Sequence, residues 1–120
     1  MHQNSFATTS RLVLLLNAAS ADTLAIALRY AVTAATMDMA VELHAVGAST
    51  TLLRRDAQDA ALLAQIRQAT ALGAALYACP AALAEHGLTA DQLIAEVAGV
   101  RGAASLLDAG FAAGARMMVF

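Results

Sequence analysis

The sequence has very few of the residues that mark disulfide-bonded, zinc-binding or nucleic-acid-binding proteins. Its 120 residues include one cysteine, one proline and no tryptophan. A single cysteine cannot close an internal disulfide, which excludes a disulfide-stabilised scaffold. Only seven residues are Lys or Arg, the formal net charge is −2, and the one adjacent basic pair is Arg54 and Arg55. We expect that pair to be solvated, and we expect no nucleic-acid partner.

Charged residues are also scarce, at 13% against 60% apolar residues, and the mean hydropathy is +0.64. Much of the apolar content is alanine. The longest uncharged stretch, residues 68–84, contains Gln68, Thr70, Gly73 and Pro80, which predicts a buried helix end, a strand and a turn rather than a membrane span. No leader with charged, apolar and small-residue regions opens the chain. We therefore expect a cytoplasmic protein without a membrane partner.

Strand and helix patterns alternate along the chain. The size predicts one domain over residues 11–120 after a flexible arm at residues 1–10. The apolar run at residues 12–16 is typical of a strand buried on both faces. Strands are also expected at residues 39–46, before Cys79 and at residues 117–120, with helices near residues 22–37, 57–72 and 102–111. This order predicts a three-layer α/β/α fold with a mostly parallel sheet of four to five strands.

The first predicted helix is unusually apolar. Ser20 or Asp22 can cap it, and Arg29 is its only internal charge before Asp38. A helix that is apolar all round cannot face water on one side, so we expect it to be buried against another subunit. The alternative is an ordinary surface on which alanine leaves small apolar side chains exposed.

The region after Gly87 is less clear. Thr89 and Gln92 have the spacing of a capping box, which predicts a helix through Leu93, Ile94 and Val97. Residues 97–100 fit either a very short strand or a turn.

The only cysteine and the only proline are adjacent, where a predicted strand ends and a short helix begins. Proline suits the first turn of a helix, so Cys79 is expected at the N-cap. There the free N–H groups of Ala81 and Ala82 and the positive helix end favour a thiolate and can hold an anion. His86 and Gly87 are expected to close this helix. The alternative is that Cys79 is a small buried apolar residue.

His44 lies near the end of the second predicted strand and alternates with apolar residues. It can approach Cys79 if the two strands are neighbours, and otherwise it is an ordinary hydrogen-bonded histidine. Cys79, His44 and His86 lack the short ligand spacings of a zinc site, so we expect no metal and no cofactor.

Several segments together resemble the DsrE/DsrF-like (DsrEFH-like) family of bacterial sulfur-relay proteins. They are residues 76–83, then Gly87-Leu88-Thr89, and residues 97–100 leading to residues 102–104. The first half of the chain also resembles the family, in the opening strand at residues 12–16, in residues 34–37 and at Gly47. The resemblance therefore covers nearly the whole chain. At Asp38 the family pattern would have a glycine, although aspartate tolerates the left-handed conformation better than most residues.

The resemblance implies that Cys79 accepts sulfane sulfur as a persulfide and hands it to another thiol carrier. It also implies a homo-oligomer, a trimer or a hexamer, with sulfur donor and acceptor proteins as partners. His44 and Arg101 are candidates for residues that assist sulfur transfer at Cys79. A peroxidatic or disulfide-exchange enzyme would normally need a resolving thiol, which the chain lacks, or a tightly organised proton relay. The competing hypothesis is a noncatalytic oligomeric interaction or regulatory subunit with a structural cysteine.

Overall fold

The computed structural model describes residues 10–120, so the predicted arm lies outside it except for Ser10, whose carbonyl accepts a hydrogen bond from the Ala40 N–H at 3.0 Å. Within the described residues, five strands alternate with four α-helices. In chain order they are β1 (Arg11–Leu16), α1 (Ala21–Thr36), β2 (Ala40–Ala45), α2 (Ala60–Ala71), β3 (Ala75–Ala78), α3 (Pro80–Glu85), β4 (Val97–Val100), α4 (Ala103–Gly110) and β5 (Ala115–Val119). None of these helices is long and apolar enough to cross a membrane.

The strands form one sheet in the order β4-β3-β2-β1-β5, and every pair is parallel. The strand at the centre of the order is β2, with β1 beside it. Alternate side chains of a strand point to opposite faces of the sheet. Different helices pack on the two faces. The helices α1 and α2 pack on one face, and α4 packs on the other against β1 and β5. The predicted three-layer α/β fold is confirmed, with a sheet that is entirely parallel.

The main core lies between the sheet and the α1–α2 layer. It includes alternate residues of three strands and the inward residues of both helices, all less than 9% exposed: Leu12, Leu14, Leu16, Val41, Leu43, Leu76, Leu24, Leu28, Leu62 and Ile66. A smaller cluster under α4 joins Val13 to Leu106 and Ala109. The alternation within β1 therefore supplies both cores.

Capping residues fix where the two long helices begin. The Ser20 hydroxyl accepts from the Thr23 N–H at 3.2 Å, so Ser20 rather than Asp22 caps α1. Asp59 caps α2 by accepting from the Leu62 N–H at 3.0 Å. Beyond α1, Asp38 adopts φ +62°, the left-handed conformation that the sequence suggested for this position.

The predicted helix through Leu93, Ile94 and Val97 is wrong. The Gln92 side chain does accept from the Thr89 N–H at 2.9 Å, as in a capping box, but only a 3₁₀ turn at Ala90–Gln92 follows. Leu93 is extended and forms an isolated antiparallel bridge with Arg54, while the Ile94 N–H donates to the Leu53 carbonyl at 2.9 Å. Leu93 and Ile94 are each 5% exposed. Burial in the core and pairing with the segment after β2 outweigh the local helix signal, and residues 97–100 then form β4.

Candidate functional site

The junction of β3 and α3 has the predicted geometry. Cys79 is the N-cap residue with extended backbone, and Pro80 occupies the first turn. The Cys79 N–H donates to the Ala45 carbonyl at 2.9 Å, which extends the β2–β3 pairing by one residue, and its carbonyl accepts from the Leu83 N–H at 3.0 Å. Cys79 is therefore anchored at both backbone groups, at the edge of the sheet where the parallel strands end.

The thiol of Cys79 is only partly buried and makes no capping hydrogen bond to α3. The amides that follow Pro80 belong to Ala81, which is exposed, and Ala82, which is 2% exposed. The short helix ends as expected, with His86 as the C-cap and Gly87 at φ +65°. Within residues 10–120 the sulfur thus lies at a helix start and makes no capping hydrogen bond.

His44 lies on β2, which is the neighbour of β3, and pairs in register with Tyr77. Its side chain is 2% exposed. Its Nε2 lies 2.9 Å from Oε1 of Glu42, and the other oxygen of Glu42 is 3.7 Å from the Arg11 guanidinium. An ionised carboxylate can only accept, so Nε2 carries the hydrogen. The Nδ1 atom is buried and has no hydrogen-bond partner among residues 10–120.

Arg101 follows β4 and lies beside the cysteine segment. Its N–H donates to the carbonyl of Ala78 at 3.0 Å, so its backbone continues the β3–β4 pairing to the residue before Cys79. Its guanidinium carbon lies 4.1 Å from the centre of the Tyr77 ring. The next residue, Gly102, approaches Pro80 closely enough that a side-chain carbon at Gly102 would lie 3.9 Å from the proline ring. The segments Arg101-Gly102 and Cys79-Pro80 are thus adjacent.

Tyr77 links His44 and Arg101, and the sequence reasoning gave it no role. The centre of its ring is 5.2 Å from the ring centre of His44 on β2. The guanidinium of Arg101, which follows β4, lies over the same tyrosine ring. A signal was present, because Tyr77 precedes Cys79 by two residues and so shares its face of an extended strand. The strand order, which sequence alone did not supply, was needed to place Arg101 against it.

Other polar groups lie elsewhere on the molecule. Arg54 is hydrogen-bonded to Asp56 at 2.9 Å, and this hydrogen bond lowers the pKa of the Asp56 carboxyl below its usual value. A groove of about 290 Å³ lies between α1 and α2, on the face of the sheet opposite Tyr77, and is lined by Leu28, Arg29, Val32, Thr33, Gln65 and Gln68. Residues 10–120 contain no group of three or more His, Cys, Asp or Glu side chains placed to hold a metal.

The sequence model of the DsrE/DsrF-like family matches residues 10–120. The chain belongs to this family. Membership is consistent with a sulfur-relay protein. A search of curated proteins finds no match.

Solved structures share the fold of this DsrE/DsrF-like chain. A protein of unknown function, MTH1491 from Methanobacterium thermoautotrophicum, superposes with a TM-score of 0.76 at 18% identity, covering 92% of this chain and 99% of its own. The ychN protein of E. coli gives 0.76 at 13% identity, covering 94% and 100%. BT1422 from Bacteroides thetaiotaomicron, also of unknown function, gives 0.73 at 19%, covering 92% and 95%. At these identities the likeness concerns the fold.

Proposed function

We propose that the protein is a cytoplasmic sulfur-relay protein that carries sulfane sulfur as a persulfide on Cys79 and passes it to another thiol carrier. The observation that supports this most directly is the position of Cys79. It is partly exposed, it lies at the carboxyl edge of a parallel sheet, and its thiol has no capping hydrogen bond. Ligands of parallel α/β sheets gather at this edge.

Loading and unloading need no external oxidant. The Cys79 thiolate attacks the terminal sulfur of a donor persulfide, R–S–SH. The new bond joins Sγ to that sulfur, the donor S–S bond breaks, and the donor leaves as the thiolate R–S⁻. In the reverse sense, an acceptor thiolate attacks the outer sulfur of the Cys79 persulfide and releases Cys79 as its thiolate. One cysteine is sufficient for both steps.

The surroundings of Cys79 suit a sulfur anion. The N–H groups of Ala81 and Ala82 lie in the first turn of α3, where a helix has no internal acceptors for them. The exposed side chain of Arg101 adds a positive charge beside the same segment. His44 lies on the same face of the sheet as Tyr77, but its Nε2 is hydrogen-bonded to Glu42. Its role is therefore to hold the Tyr77 ring in place by packing against it.

Exposed apolar side chains support the proposal that the working form is a homo-oligomer, a trimer or a hexamer. The large ones that are at least 47% exposed are Ile26, Tyr30, Met37, Leu107, Phe111 and Val119. Donor and acceptor proteins would dock at the carboxyl edge that carries Cys79. The same exposed side chains also favour the second candidate, a noncatalytic oligomeric interaction or regulatory subunit in which Cys79 is only packed.

Intact-mass spectrometry after incubation with a persulfide or polysulfide donor separates the two candidates. We expect the wild type to gain about 32 Da per sulfur atom added, and to lose it when a second thiol carrier is supplied. The matched control is Cys79→Ser, which keeps the size of the side chain and should gain nothing. Equal loading of Cys79→Ser, or no loading of the wild type by either donor, would exclude sulfur carriage and favour the interaction subunit.

A further inference from the structure

We propose that Arg101, held in place by Tyr77, makes Cys79 selective for sulfur donors that carry a negative charge away from the attacked sulfur, such as a polysulfide anion, over neutral electrophiles. The inference deepens the proposed function and rests on Cys79 as the sulfur-carrying residue. It assigns Arg101 as a specificity-determining residue and Tyr77 as the residue that positions it.

The placement of Arg101 starts from the backbone. Its N–H is bonded to the Ala78 carbonyl at 3.0 Å, one residue before Cys79, and Gly102 lies against Pro80. Arg101 therefore follows the end of β4 just as Cys79 follows the end of β3. Both residues lie at the carboxyl edge of adjacent parallel strands, where an approaching donor would meet them together.

Among residues 10–120, no carboxylate forms an ion pair with Arg101. The cations in the ion pairs of residues 10–120 are Arg11, Arg54, Arg67 and His44, and the side chain of Arg101 is exposed. The only aromatic side chain under its guanidinium is Tyr77, at 4.1 Å, among the described residues. A cation over an aromatic ring keeps its full charge, since the ring supplies only a quadrupole. A positive charge thus remains available to an anion at this edge.

Tyr77 fixes where that charge lies. Its ring contacts His44, whose side chain is 2% exposed and is hydrogen-bonded to Glu42 at 2.9 Å. On the other side Tyr77 pairs with Gly99, which has no side chain to compete for the space above the strand. The ring is therefore supported from within the sheet. A guanidinium resting on a fixed ring has fewer orientations to lose than a free one when a donor reaches this edge of the sheet.

Selectivity for charge can be measured without any sulfur donor. Iodoacetate and iodoacetamide alkylate a thiolate by the same displacement, in which the sulfur–carbon bond forms and iodide leaves, but only iodoacetate is an anion. Cys79 is the only thiol in the chain. The ratio of the two rate constants on the folded protein reports the charge near Cys79, and the iodoacetamide rate corrects for accessibility. A variant that only disturbs the fold changes both rates together.

We expect Arg101→Met to lower the iodoacetate-to-iodoacetamide ratio about two- to five-fold at low ionic strength, the range that one unit charge about 4 to 8 Å away produces in a water-like dielectric. Arg101→Lys should retain most of the ratio because it retains the charge. Tyr77→Leu should lower the ratio in part, while Tyr77→Phe, which keeps the ring, should not. In 1 M salt the wild-type ratio should fall toward that of Arg101→Met, because the screening length is then about 3 Å.

An unchanged ratio in Arg101→Met, or a folded wild type that reacts with neither reagent, would overturn the selectivity. Equal ratios in Tyr77→Leu and Tyr77→Phe would overturn the positioning role of Tyr77. Sulfur loading by polysulfide is read separately by mass. If wild type loads but the ratio does not depend on Arg101, the proposed function stands and this inference fails. If the ratio depends on Arg101 but no donor loads Cys79, the charge selection stands and sulfur carriage fails.

Discussion

The two faces of the sheet use the same strands for different purposes. Toward α1 and α2, the side chains of β1, β2 and β3 are all apolar, and each is less than 9% exposed. Toward the other side, β1 presents Val13 and Leu15 to α4, but β2 and β3 present Glu42, His44 and Tyr77. By the same alternation Cys79 continues the second set.

This difference shows how a small domain combines stability with a polar site. A continuous apolar face holds the strands in register, and the opposite face is then free to carry polar groups at specified positions. The cover also differs, since two long helices lie on the apolar face and the eight-residue α4 lies on the other, over β1 and β5. We therefore expect substitutions on the two faces to have different costs.

The largest effect is expected for neighbouring leucines of β1 that point to opposite faces. Leu14 is 0% exposed in the main core, whereas Leu15 is partly buried beside the α4 cluster. We expect Leu14→Ala to lower the free energy of unfolding by about 3 to 5 kcal/mol, and Leu15→Ala by about half as much, because the fully buried side chain leaves the larger cavity when it is shortened.

Urea denaturation of both variants measures this difference directly. If Leu14→Ala does not fold, the milder pair Leu14→Val and Leu15→Val should show the same order. Equal losses at the two positions would mean that the α4 face is packed as well as the α1–α2 face.

A smaller effect is expected within the polar face. Glu42→Leu leaves Nε2 of His44 unpaired, in a side chain whose Nδ1 already lacks a partner. An unpaired buried polar group costs about 1 to 3 kcal/mol. The double variant Glu42→Leu with His44→Phe should recover most of that loss, because it removes both polar partners and keeps a ring against Tyr77.

A double-mutant cycle by urea denaturation tests this coupling, with His44→Phe alone as the remaining corner. Additive losses would show that the Glu42–His44 contact does not contribute to stability. The polar side chains of this face would then stabilise the fold no more than ordinary surface residues do.

The smallest effect is expected at the turn that connects the two faces. Asp38, at φ +62°, lies in the turn between α1 and β2. The side chains of β2 point alternately to the two faces of the sheet. Asp38→Gly should be neutral or stabilising by up to about 1 kcal/mol, because glycine adopts this conformation without steric cost. Asp38→Ala should be destabilising by about 1 kcal/mol, because alanine keeps the Cβ in this left-handed conformation but lacks the short polar side chain that can hydrogen-bond locally there.

Thermal unfolding compares these variants with Thr36→Gly, the last residue of α1, where glycine should instead destabilise by about 0.5 to 1 kcal/mol. A loss of similar size in Asp38→Gly and Thr36→Gly would show that the aspartate makes contacts beyond its backbone conformation.

Much of this architecture could be predicted from local pattern. The buried run of β1, the alternation of β2 and the Cys79-Pro80 junction each appear in the structure as the sequence indicated. The failure at residues 93–97 has a clear cause. A capping-box signal is local, whereas the bridge between Leu93 and Arg54 joins residues far apart in sequence.

The sequence by itself determined which residues can form strands and helices, and that Cys79 begins a helix, because proline geometry and hydrophobic periodicity act over a few neighbouring residues. Only the tertiary structure decided that β2 and β4 flank β3. That order buried His44 against Tyr77 and placed Arg101 over the same ring. Strand order depends on how helices cover the two faces of a sheet, and this is a property of the whole chain that no short segment encodes.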